Sequence, residues 1–220
     1  MMIVFWGVNQ IVKIEDVIRS ITNPNARRYI KFCIKQLSKY SIPLYLDGGL
    51  SVIGANTAGY FAEDEGVRCF VGPSLDWLLV LGHEKNHALS FALQKPQWIA
   101  YQQLDTSIDD IIHRGKQVIN PIKTCRVLVN LEHQAETAAI RDAKKYYLPV
   151  DLPYYQQVAN LTLWKYIFCI HNNGYWVKLT NKVQNDLAAT MPTKLLPRNT
   201  FLLSNMPPEL RNQLEELRIK

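Results

Sequence analysis

His83-Glu84-Lys85-Asn86-His87 lies inside an apolar run that opens at Leu75-Asp76-Trp77-Leu78-Leu79-Val80-Leu81 and continues through Ala88-Leu89-Ser90-Phe91. The run reads as a buried helix, because its apolar residues cover every face rather than one. On a helix, His83 and His87 stand at i and i+4, so both imidazoles leave the same face and can converge on one metal ion. Glu84 follows the first histidine and can take a proton from a metal-bound water. The plainer reading is a pair of satisfied core histidines. Two imidazoles and a carboxylate in an apolar helix are costly to desolvate without a compensating ion, however. The pattern therefore predicts a divalent metal site, with His83 and His87 as ligands and Glu84 as general base.

A catalytic zinc takes three protein ligands and keeps one position open for water. Asn120-Pro121 starts a second long helix, expected to run to about Tyr147, before Pro149. It contains Leu131-Glu132-His133-Gln134-Ala135-Glu136, and Leu128, Val129, Ala139, Ile140 and Ala143 make the face of Glu132 and Glu136 otherwise apolar. One carboxylate on that face can bind the ion. The other, one turn on, can accept a hydrogen bond from a ligand imidazole and fix its tautomer. The bland alternative is a solvated pair beside His133 and Arg141. His113, His133 and His171 are rival third ligands without comparable spacing.

The rest of the chain bounds the setting. At 220 residues, 48% hydrophobic and 20% charged, it suits a single globular domain spanning 1–220. No apolar run is long enough to span a bilayer. Residues 1–8 read as a first strand rather than a signal peptide, because no basic segment precedes them and no small-residue cleavage site follows. Cys33, Cys69, Cys125 and Cys169 form no C-x-x-C and are expected to be buried free thiols in a reducing, cytoplasmic compartment. Helices are expected at about 14–22 and 24–40. Short strands should follow at Leu44–Leu46, Leu50–Ile53, Gly59–Phe61 and Val67–Val71. Asp47-Gly48-Gly49 is expected to turn a hairpin between the first two of these. Ser74 is expected to cap the His83 helix and Lys95-Pro96 to end it. Further helices are expected at about 106–117, 153–171 and 206–220. The fold class is α+β: a small N-terminal sheet packed on the metal helix, then a mostly helical half.

Net charge is +6. Part of it is organised, because Arg27, Arg28, Lys31, Lys35 and Lys39 recur along one face of the helix at 24–40. A solvated outer face explains this stripe. An acidic partner or nucleic acid is the sharper alternative.

Together these motifs resemble the gluzincin-type metallopeptidases: Asp76-Trp77-Leu78 leading into His83-Glu84-x-x-His87, then Glu132-x-x-Ala135-Glu136 in a later helix. The chain is similar in particular to small metallopeptidase-like proteins of tailed bacteriophages. These share Gly59-Tyr60-Phe61 before the metal helix, then Leu148-Pro149, Ala159-Asn160 and Trp176. The resemblance covers about residues 44–177. It implies a zincin-like fold, a Zn2+ cofactor, a peptide or protein substrate, and a host-cell cytoplasmic location. It also implies that Glu132 is the third ligand and Glu136 the residue that supports a histidine, with Glu136 as the alternative ligand. Asn86 departs from the small residues usual before the second histidine. Lys85 puts a cation beside Glu84 and would weaken the base if it paired with it. Two alternatives to a zinc peptidase stand: a catalytically silent metal-binding module, and a nucleic-acid or host-protein binder acting through the basic helix.

Overall fold

The computed structural model describes residues 10–48, 58–107, 110–111, 114–172, 177 and 179–218. The expected strands at 1–8 and Leu50–Ile53 lie outside these residues, as do His113 and Trp176. The molecule is α+β. Its chain forms two compact units, the first from residues 1–95 and 135–151, the second from 96–134 and 152–220.

The first unit holds four strands, β1 (Gln10–Val12), β2 (Leu44–Gly48), β3 (Gly59–Ala62) and β4 (Gly66–Phe70), in the order β1-β2-β4-β3. β2 pairs antiparallel with β1 and parallel with β4, and β3 and β4 form an antiparallel hairpin. Asp47-Gly48 is therefore no turn. Asp47 pairs across the sheet with both Ile11 and Phe70, and its buried carboxylate lies 3.5 Å from the Arg68 guanidinium. A neutralised aspartate can stay in a strand where an isolated one would favour a turn. The observed hairpin turns instead at Glu63-Asp64-Glu65.

Helices α1 (Ile14–Ser20), α2 (Pro24–Ser38) and α3 (Trp77–Ala92) complete this unit, together with the end of a long helix described below. Asn23 caps α2, its side chain accepting from the Ala26 amide at 3.0 Å, with Pro24 in the first turn. Ala26, Tyr29, Ile30, Cys33 and Leu37 form the buried face of α2. α3 packs on β3 and β4 and also against α2, so it is buried on more than one side, as its all-round apolarity requires. Its N-cap is Asp76 rather than Ser74. Ser74 instead donates from its hydroxyl to the Asp76 carboxylate at 2.9 Å, while that carboxylate also accepts from the Asp151 amide at 3.0 Å.

The second unit is helical. It contains α4 (Pro96–Gln102), the start of α5 (Pro121–Lys145) as far as Gln134, α6 (Leu152–His171), α7 (Asn181–Ala189) and α8 (Pro208–Arg218). Leu128, Leu161, Trp164, Ile167, Phe168, Phe201, Leu210 and Leu214 are among the residues of its core. Ile111 is core too, and the Asp110 amide bonds the Ser107 hydroxyl at 3.1 Å, as a helix start there would have it. All four cysteines are buried free thiols. Among the described residues, no helix is long and apolar enough to cross a membrane.

Candidate metal centre

Three side chains of α3, His83, Glu84 and His87, bring ligand atoms within 4.8 Å of one another. The two imidazoles meet edge to face, with ring centres 4.6 Å apart. Their Nε2 atoms are 2.8 Å apart. His83 turns its other nitrogen away from this meeting point, and Nδ1 lies 3.3 Å from Glu136 Oε1. A carboxylate at Nδ1 draws the ring proton to that side, which leaves the Nε2 lone pair facing His87. The remaining oxygen of Glu136, Oε2, is buried without a hydrogen-bond partner. Two imidazole nitrogens meeting beside an unsatisfied buried carboxylate oxygen suit a cation, because a buried anion without compensation is strongly unfavourable. The donor set therefore fits a divalent metal.

Close packing holds this geometry. A methyl group on Gly82 would lie 2.6 Å from the Tyr29 hydroxyl oxygen and 3.3 Å from the Ala139 Cα and Cβ. With glycine there, α5 comes close to α3 one residue before His83, and Glu136, one turn earlier on α5, reaches the imidazole. On the sheet side, a methyl on Gly59 would lie 2.7 Å from Val80 Cγ1 and 3.3 Å from Glu84 Cγ. β3 thus runs directly beside Glu84. The Gly82 signal was present in the sequence, since glycine inside an apolar helix costs about 1 kcal/mol against alanine.

Lys85 does not pair with Glu84. It is buried, and its ammonium group bonds the equally buried carboxylate of Asp142 on α5. It also sits 5.0 Å from the Phe32 ring centre and 5.5 Å from that of Tyr29. The cation beside the base is held by another anion. Asn86, the other departure, folds back on its own helix and donates to the Gly82 carbonyl at 2.7 Å. Cys69 on β4 lies outside the three-residue ligand group; burial, and then the nearby Glu84 charge, push its thiol well above its ordinary pKa.

Glu132 is half-buried on α5, one turn before Glu136, and is outside the three-residue ligand group. Among its rivals, His133 uses Nε2 on the Leu196 carbonyl at 2.9 Å. Burial, then the Arg211 charge, lower the pKa of His171. Two polar side chains of α6, Tyr154 and Asn160, serve the helical unit. Tyr154 donates to Asn185 Oδ1 at 2.7 Å. Asn160 is fully buried and clasps the segment after α7: it donates to the Pro192 and Lys194 carbonyls and accepts from the Leu196 amide. Comparison with family models, curated proteins and solved structures finds no match for this chain.

Proposed function

We propose that the chain is a zinc-dependent metallopeptidase with a zincin-like, gluzincin-type site. His83 and His87 bind Zn2+, Glu132 is the third ligand, Glu84 is the general base, and Glu136 orients His83. The observation that carries this reading is the meeting of the two Nε2 atoms at 2.8 Å with a carboxylate on the far nitrogen of His83. A histidine pair with one carboxylate and an open position is a set that catalytic zinc uses. Bound zinc would supply a Lewis acid and lower the pKa of a coordinated water.

The protein's own residues do the rest. Glu84, half-buried beside His83, takes the water proton and returns it to the leaving amine. The neighbouring cation, Lys85, is engaged by Asp142 rather than by Glu84. Glu136 keeps the His83 lone pair on the ligand side.

Glu84→Gln separates enzyme from metal-binding module. The amide keeps the shape and cannot take a proton. The variant should retain fold and zinc but cleave a proteome-derived peptide library about 10²- to 10⁴-fold more slowly. Equal cleavage by variant and wild type would leave zinc as a staple of the fold and remove the peptidase reading.

A further inference from the structure

The basic face of α2 plays no part in the metal centre. Arg27, Arg28, Lys31, Lys35 and Lys39 are all exposed, and α2 carries no carboxylate of its own. The structure sets a second basic group beside this row. Arg141, Lys144 and Lys145 are exposed at the end of α5, in the same compact unit. Aromatic rings join the two groups. The Arg28 guanidinium lies 5.8 Å from the Tyr146 ring centre, and the Lys145 ammonium 5.7 Å from the same ring and 5.9 Å from that of Phe32. The Tyr146 and Phe32 rings are themselves 5.2 Å apart. Asp142, the one carboxylate in this last stretch of α5, is buried and shared between Lys85 and Arg141. Arg27, Arg28 and Lys31, with Pro24, also line a shallow recess of about 450 Å³.

We propose that this surface binds the phosphate backbone of a nucleic acid without reading its sequence. Arg28 and Lys145 are held over rings, and α2 carries no acid to neutralise its row of cations, so the surface is strongly positive. Arg27, Lys31 and Lys35 recur every four residues, about 6 Å apart along the helix axis. Such a row suits an anion that repeats along a line. Tyr146 adds a half-buried ring among the cations, the pairing that nucleic-acid-binding grooves use. A lipid surface fits less well, because the apolar face of α2 is buried and leaves nothing to insert. The proposal does not depend on the metal reading.

The test is fluorescence anisotropy on the full-length protein with a labelled 20-nucleotide single strand, the matching duplex and a labelled poly-glutamate peptide. With about four phosphates neutralised, affinity should fall ~100-fold between 50 and 200 mM salt. The triple variant Arg27→Glu, Lys31→Glu, Lys35→Glu should lose binding, and the milder glutamine triple should weaken it while keeping the wild-type circular dichroism spectrum. Lys123→Glu, Arg126→Glu, Lys182→Glu changes net charge equally at exposed positions elsewhere and should bind as wild type does. Equal losses in both charge-reversed triples, poly-glutamate binding as tight as nucleic acid, or no binding at 50 mM salt would each overturn the proposal.

Discussion

Glu132 and Glu136 are four residues apart on one helix, yet they stand in different surroundings. Glu136 is buried against His83 Nδ1, the position of a residue that orients a ligand. Its loss should therefore weaken zinc binding about 10- to 100-fold. Glu132→Ala, removing the proposed ligand itself, should cost more. Competition against a chelator of known affinity measures both, and a site emptied by Glu136→Ala but filled in Glu132→Ala would reverse the roles. The histidine pair was legible because helical spacing alone aims both rings. The partner of Lys85 was not, because Asp142 lies 57 residues away and only tertiary packing brings it near. Lys165 was also unread. Burial lowers its pKa from 10.5 to about 8. The unfolded chain then binds a proton that the folded chain does not between pH 8 and 10.5, so this group adds stability as pH rises through that window. Below it, charge on a buried ammonium is a constant penalty. Lys165→Met should thus be more stable than wild type at pH 7, by on the order of 2 kcal/mol, with the gain shrinking toward pH 10.5. Denaturant melts at several pH values check this; a gain that does not vary with pH would point to packing alone.

At the scale of elements, α3 and the end of α5 are tied twice, by Glu136 to His83 and by Asp142 to Lys85. The second tie is a buried ion pair, and such pairs behave asymmetrically. Removing one partner strands a charge and costs about 3–5 kcal/mol, whereas replacing both with apolar residues is often neutral. Lys85→Met and Asp142→Leu should each destabilise by that amount, and the double variant should recover most of the loss. Strict additivity in the double-mutant cycle would show that the two charges do not depend on each other. The helices themselves were readable from caps and apolar pattern: Asn23-Pro24 and Asn120-Pro121 both start helices, and Asn120 accepts from the Lys123 amide at 3.0 Å. The sheet was less readable. Asp47-Gly48 carries turn chemistry, but the Arg68 charge and the parallel pairing with β4 keep it extended. Non-local pairing of this kind leaves little trace in a local pattern. α7 went unread because Asn181–Ala189 is short and only partly apolar.

At the scale of the molecule, the α+β class followed from order along the chain, with strands before the metal helix and helices after it. The division into two compact units did not, because it cuts within α5: Gln134 and the residues before it belong to the helical unit, Ala135 and those after it to the unit of the sheet. No break in composition marks a boundary inside a continuous helix. Of the proposed centre, His83, Glu84, His87 and Glu136 belong to the first unit and Glu132 to the second. The proposed function requires that centre to hold an ion. Metal analysis of purified protein by mass spectrometry, beside the double variant His83→Ala, His87→Ala, tests it most directly. About one zinc per chain in the wild type, and none in the folded double variant, is the predicted result. Metal-free wild type that takes up no added zinc, or full zinc in the double variant, would contradict it.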